Sequence, residues 1–304
     1  MIKTVMRVCF FLTIALVAYA QNVETSSWQA AELPVYSDPD DNWAKDPSVI
    51  KEGDIYYMFY TSANPWQDTG EGGKGEPRID YATSPDGLKW TRQGVAIEKG
   101  KEGEWDGKRP QAPAKPILKD GVYYMYYAGA GDRVYIGYAT STDLRHWEKR
   151  PGNPVIHYGG KCNDPYIYLE DGIYYLFYDD GAERVYYVTS TNLTDWSSTP
   201  VQTGAVGEGN IVLKDQGVYT MLTAVGHSHH GEYYKSWRSN SLTGFEDGGK
   251  IKMNVPTWAS GAFGHGDVLR YGDEYWLYFQ GTSNGGKTFQ IGLAKHPVGT
   301  STRR

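Results

Sequence analysis

The chain has 304 residues, a formal net charge of −6 and a sequence pI near 5.7. Apolar residues make up 40%, which excludes disorder, and the acidic balance excludes the basic footprint of a non-specific nucleic-acid binder. Two Cys cannot build a disulfide scaffold, and 26 Tyr with 10 Trp beside only 8 Phe point to many rings with a polar edge.

The chain opens with Lys3 and Arg7, an apolar run from Val8 to Tyr19, and the small-x-small pattern Ala18-Tyr19-Ala20. Residues 1–20 therefore read as a signal peptide cut after Ala20, too short in its apolar part to span a bilayer. The expected location is secreted or periplasmic, with no membrane association after cleavage. Losing Lys3 and Arg7 takes the net charge to −8 and leaves Cys162 as the only thiol. Asn192-Leu193-Thr194 is a glycosylation sequon if the source is eukaryotic.

Residues 21–304 repeat one pattern five times. A short aromatic strand recurs at Tyr56–Tyr60, Tyr123–Tyr127 and Tyr174–Tyr178, with weaker copies from Tyr219 and Tyr275. Each follows a tight turn such as Asp120-Gly121 or Asp171-Gly172, and an apolar strand precedes each turn. Downstream, Tyr81 to Trp90, Tyr138 to Trp147 and Tyr187 to Trp196 keep one spacing around a Thr-Ser-x-Asp/Asn turn. The fourth copy, Ser236 to Phe245, is degraded, and the fifth retains only the strand Phe289 to Lys295. The fold class is all-β: a single five-bladed β-propeller catalytic domain with four antiparallel strands per blade. A β-sandwich would not demand one motif five times.

Counting back ten residues from the first Tyr of each aromatic strand reaches Asp46, Pro113, Asp164, Gly209 (Glu208 just before it) and His265. In a propeller the first strands line the central channel, so these positions converge at one mouth. Buried like charges are costly, and a purely structural core does not gather them. Two carboxylates across a sugar can hydrolyse a glycosidic bond, one protonated and one ionised, and a third acid nearby would raise the pKa of the proton donor.

Asp46-Pro47-Ser48-Val49, Gln111-Ala112-Pro113, Asn163-Asp164-Pro165-Tyr166, Gly207-Glu208-Gly209-Asn210 and Gly264-His265-Gly266-Asp267 together resemble the blade motifs of glycoside hydrolase family 43. Asn210 departs from the usual Pro, and Gln111 from the usual Trp. The resemblance spans Trp43 to Lys295. It implies an inverting glycosidase of arabinofuranosidase, xylosidase, arabinanase or galactosidase type, exo-acting on plant or algal polysaccharide fragments. It further implies Asp46 as general base, Asp164 as the residue that tunes and orients the acid, and Glu208 as general acid. His265 would lie near the channel floor. No cofactor is required, although a structural calcium ion in the central channel could meet His265 through water.

Two other readings remain open. Related propeller glycosidases similar to the neoagarooligosaccharide hydrolases use a histidine acid, and His227-Ser228-His229-His230 offers candidates. A non-catalytic carbohydrate-binding propeller would use the same pocket without turnover. The expected partner in every case is an oligosaccharide or polysaccharide. Trp43, Trp105, Arg109 and Gln111 enter the channel strands and are candidates for sugar contact, as are Trp66 and Trp258, because none recurs at fixed spacing. Trp90, Trp147 and Trp196 do recur and read as packing between blades.

Overall fold

The computed structural model describes residues 27–62, 76–226 and 232–298. Residues 1–20, Trp66 and the histidine run from His227 to His230 lie outside the described residues. Among the described residues no helix is long and apolar enough to cross a membrane.

Five antiparallel sheets form the five blades. Blade one is β2 (Lys45–Glu52), β3 (Ile55–Ser62), β4 (Arg78–Ser84) and β5 (Thr91–Glu98). Blade two has an inner strand broken by Pro113 and Pro116 into β6 (Arg109–Gln111) and β7 (Ile117–Lys119), since proline donates no ladder hydrogen bond. Both pieces pair with β8 (Val122–Ala130), and β9 (Val134–Ser141) and β10 (Glu148–Lys149) follow. Blade three is β11 (Asn163–Glu170), β12 (Ile173–Asp179), β13 (Arg184–Ser190) and β14 (Val201–Val206). Blade four is β15 (Glu208–Asp215), β16 (Val218–Val225), β17 (Tyr233–Ser239) and β18 (Glu246–Lys250). Blade five holds β19 (Ala262–Tyr271), β20 (Glu274–Thr282) and β21 (Gln290–Pro297). Its fourth strand comes from the other end of the chain: β1 (Gln29–Ala30) pairs with β21 and closes the ring.

The aromatic second strands carry the core. Tyr60, Tyr126, Tyr127, Phe59, Phe177, Tyr278 and Phe279 are almost wholly buried. The recurring tryptophans pack between blades, each meeting the same position of the preceding blade's aromatic strand. Trp90 meets Tyr278, Trp147 meets Phe59 and Trp196 meets Tyr126, all edge to face at 5.4–5.8 Å between centroids. The Thr-Ser-x-Asp/Asn motif is a turn device. In the first copy the Ser84 hydroxyl accepts the Gly87 N–H, and the Asp86 carboxylate accepts the N–H groups of Leu88 and Lys89. Asn192 of the sequon fills the same role on an exposed turn, accepting from Thr194 and Asp195.

Candidate active site

Each inner strand is kinked at the counted position or, in blade two, at the residue before it. Asp46, Ala112, Asp164, Gly209 and His265 all have positive φ, between 32° and 62°. In blades one, three, four and five a bulge shifts the register there. A left-handed residue in a bulge turns its side chain out of the pleat, and non-glycine residues hold that conformation only when their surroundings enforce it. Here the kinks aim Asp46, Asp164 and His265 at one point, and Gly209 lets Glu208 approach: a Cβ at 209 would meet the His265 backbone at 2.9 Å.

His265 is the hub. Its Nδ1 lies 2.9 Å from Asp46 Oδ1 and 3.5 Å from Asp164 Oδ2, and its Nε2 lies 3.2 Å from Glu208 Oε2. Both ring nitrogens face carboxylate oxygens, so both carry hydrogen. Burial opposes that charge, but Asp164, Asp46 and Glu208 outweigh it and lift the His265 pKa well above its usual value. Burial would also raise Asp46, but Lys45 and His265 hold its carboxyl well below the usual carboxylate range. Glu208 is likewise opposed by burial and still brought down to about 2 by His265, with Lys161 and Lys45 contributing. Asp164 moves the other way: burial raises it, His265 offsets this in part, and Glu208 and Asp46 add to the rise. The expectation that a neighbouring acid lifts Glu208 is thus reversed in the free site, because the proton resides on His265, within hydrogen-bond reach of Glu208.

Asp164, Glu208 and His265 each offer an atom within 4.8 Å of the others. Asp46 and Asp164 both face the Nδ1 edge of the imidazole, and Glu208 faces its Nε2 edge. Neighbouring blades tie the site together. Thr61 Oγ1 donates to Asp46 Oδ2 at 2.7 Å and accepts the Ala112 N–H at 2.8 Å. The Asp46 N–H donates to Gln280 Oε1 at 2.8 Å, and the Gly209 N–H to Asp164 Oδ2 at 3.1 Å. Asn210, which stands where family 43 usually has Pro, is buried and donates from Nδ2 to the Asp164 carbonyl at 3.4 Å.

The other predicted contact residues divide. Arg109 sits in β6 near enough for Asp46 to support its charge against burial. Gln111 Nε2 donates to Asn163 Oδ1 at 2.8 Å and so links blades two and three. Trp43 is buried, donates from its indole to the Gly286 carbonyl at 3.0 Å and packs edge-on against Phe289. Trp105 and Trp258, expected to be unrelated, occupy equivalent places. Trp105 covers Gly129 and Gly137 and leans on Tyr127; Trp258 covers Gly281 and Gly292 and stacks on Phe279. Each tryptophan fills the hollow left by two glycines on adjacent strands.

Three residues missed in the sequence lie five positions after the first Tyr of an aromatic strand: Thr61, Asp179 and Gln280. The same counting that found the acids would have found them. Asp179 is fully buried; one oxygen accepts the Gly181 N–H at 2.8 Å and the other has no hydrogen-bond partner among the described residues. Burial, then Asp164 and Glu208, raise its pKa well above the ordinary value despite Lys161.

A metal does not fit His265 directly, since both of its nitrogens already serve carboxylates. Lower in the channel Lys115 Nζ pairs with Asp267 Oδ1 at 2.9 Å.

The Glycosyl hydrolases family 43 model matches residues 41–244, a stretch that contains Asp46, Asp164 and Glu208. The chain belongs to glycosyl hydrolase family 43. Within curated proteins this family 43 chain is 24% identical over 296 residues to alpha-L-arabinofuranosidase C of Cellvibrio japonicus (strain Ueda107), covering 84% of the chain and 44% of that protein. It is 31% identical over 146 residues to 1,2-beta-oligomannan phosphorylase of Thermoanaerobacter sp. (strain X514), covering 44% of the chain and 48% of that protein. The chain thus spans about half the length of these relatives. The fold matches the crystal structure of a thermostable family-43 glycoside hydrolase with a TM-score of 0.68 at 18% identity, over 88% of this protein and 98% of that one.

Proposed function

We propose that this protein is a secreted, inverting, exo-acting glycoside hydrolase of the arabinofuranosidase or xylosidase type. The observation that carries the reading is the imidazole bridge. Asp46 and Glu208 are held on opposite edges of one His265 ring, at 2.9 and 3.2 Å. Hydrogen bonds in line with an imidazole would hold two oxygens up to roughly 8 Å apart, a spacing compatible with the range of about 6.5–9.5 Å that leaves room for a water in inverting enzymes. An arabinofuranosyl substrate is supported by the likeness to the Cellvibrio alpha-L-arabinofuranosidase C. Secretion rests on the leader sequence read at residues 1–20.

In this reading Asp46 is the base, kept ionised by Lys45, His265 and Thr61. It takes a proton from the water that attacks the anomeric carbon. Glu208 gives its proton to the departing glycosidic oxygen as the bond to the anomeric carbon breaks. Because Glu208 is ionised in the free site, its proton comes from His265 Nε2 as substrate displaces solvent around the pair. Asp164, within 4.8 Å of Glu208, favours that transfer by repulsion. No step passes through a metal; a calcium ion held through water in the channel remains a proposal, tested by metal analysis of dialysed protein.

The test is a panel of alkyl glycosides, whose leaving groups need a proton, with Asp46→Asn and Glu208→Gln. Each substitution is expected to lower kcat by about 10²–10⁴-fold. Parental rates in both variants would defeat the assignment. Loss at Asp46 alone would point to a histidine acid, and sugar-dependent thermal stabilisation without turnover would point to a binding propeller.

A further inference from the structure

Below the hub the central channel holds a cavity of about 30 Å³ lined by Ser48, Lys115, Tyr166, Asn210, His265 and Asp267. Lys115 stands between Pro113 and Pro116, in the gap where the inner strand of blade two leaves the ladder. Its Nζ reaches across to blade five, lies 2.9 Å from Asp267 Oδ1 and donates to the Val268 carbonyl at 2.8 Å. Asp267 Oδ2 accepts the Val49 N–H of blade one at 2.8 Å. One ion pair thus ties three inner strands together, two residues from His265 and three from Asp46. Asp267 is buried; burial raises its pKa, and Lys115 with the Val49 N–H offsets that rise in part.

Two cations are candidates for this channel: a calcium ion held through water, and the Lys115 ammonium. The geometry separates them. Calcium takes about six to eight oxygen ligands. Among the described residues, the group of acids and histidine close enough to share one ion is Asp164, Glu208 and His265, and the imidazole nitrogens already serve carboxylates. Lower down, the cavity offers Asp267 Oδ1, which Lys115 already neutralises, and the uncharged Ser48 Oγ and Asn210 Oδ1. It has room for about two waters, at about 10–15 Å³ each. Those oxygens fall short of a calcium shell, and the ammonium would repel the ion at the one charged ligand. Two waters instead match Ser48 Oγ and Asn210 Oδ1, which are buried and have no hydrogen-bond partner among the described residues.

We propose that Lys115 is the resident cation of the central channel, and that the protein needs no metal ion there. The ammonium neutralises Asp267 and holds the inner strands of blades one, two and five in register below the catalytic residues. The proposal stands apart from the roles given to Asp46 and Glu208, and its test reads stability rather than turnover.

The experiment is thermal unfolding of the full chain after dialysis against EDTA, with and without added calcium at constant ionic strength. A calcium site filled at about 100 times its Kd would raise Tm by about 5–11 °C. The parent should show no rise. Lys115→Ala leaves the Asp267 carboxylate without its ion pair and opens space for a small amine. The Lys115 side chain is 25% exposed, so solutes reach its place. The Tm of Lys115→Ala should lie below the parent's, and ethylammonium, which resembles the end of the lost side chain, should raise it while leaving the parent unchanged. In Lys115→Ala combined with Asp267→Asn that response should vanish. Lys115→Arg keeps the charge and should ignore calcium, as the parent does; these two proteins decide the matter if Lys115→Ala fails to fold. A calcium-dependent rise in either of them would overturn the proposal. So would a Lys115→Ala variant as stable as the parent or indifferent to ethylammonium, or an ethylammonium response that survives Asp267→Asn.

Discussion

Asp179→Asn replaces a fully buried carboxyl with a neutral group of the same shape. In the parent, one oxygen accepts the Gly181 N–H and the other meets no hydrogen-bond partner among the described residues. Burial, with Asp164 and Glu208 nearby, makes its negative form unfavourable and raises its pKa in the folded state above the unfolded value of 3.8. A raised carboxyl contributes stability that is fully present below the unfolded pKa and is lost as pH rises through the folded one. The parent therefore forfeits stability between pH 4 and 7 that the Asn variant, which does not titrate, keeps. Each tenfold displacement of the protonation equilibrium is worth about 1.4 kcal/mol. At about 2–4 °C per kcal/mol for a domain of this size, a single such displacement already raises Tm by about 3–6 °C. Differential scanning calorimetry at pH 4 and pH 7 is the assay. The variant should match the parent at pH 4 and exceed it at pH 7. Equal Tm at pH 7, or a gain as large at pH 4, would refute the reasoning.

Other outcomes follow from the same geometry. Glu208→Ala should slow hydrolysis of alkyl glycosides by about 10²–10⁴-fold but spare substrates with an acidic phenol leaving group, which need no proton; initial rates showing equal losses would remove Glu208 from the acid role. The raised pKa of His265 contributes stability that is present below 6.5 and lost as pH rises through the folded value, so parent Tm should fall on the alkaline side. His265→Gln should flatten that fall, and an unchanged alkaline slope would contradict a protonated hub. Trp147→Ala removes an edge-on contact with Phe59 of the preceding blade and should cost about 3 kcal/mol in denaturant unfolding; a cost below about 0.5 kcal/mol would mean the blade seam does not depend on it.

Much of the propeller was legible because its repeat is written in residue types with one physical use each. Gly and Asp make the turns, Tyr and Phe fill the second strand, and Ser with Asp or Asn caps the next turn. The acid ring was legible for the same reason, since one spacing carries Asp46, Asp164 and His265 to the axis. Closure of blade five by Gln29–Ala30 was not legible, because two residues carry no alternation. The kinship of Trp105 and Trp258 was hidden by a one-residue difference in spacing, as they lie eighteen and seventeen residues before Tyr123 and Tyr275. What they share is a pair of glycines on neighbouring strands, visible only once the strands are paired. The protonation pattern was also out of reach. That Glu208 is held low by His265 while Asp179 is pushed up by burial, Asp164 and Glu208 depends on which groups come together, and no spacing encodes those distances.

The imidazole bridge between Asp46 and Glu208 is most directly tested by the stereochemistry of the fresh product. Proton NMR during the first minutes of hydrolysis, before mutarotation, should show the released sugar with its anomeric configuration inverted. A retained configuration would mean that a carboxylate attacks the sugar itself, and would contradict the roles given to Asp46 and Glu208.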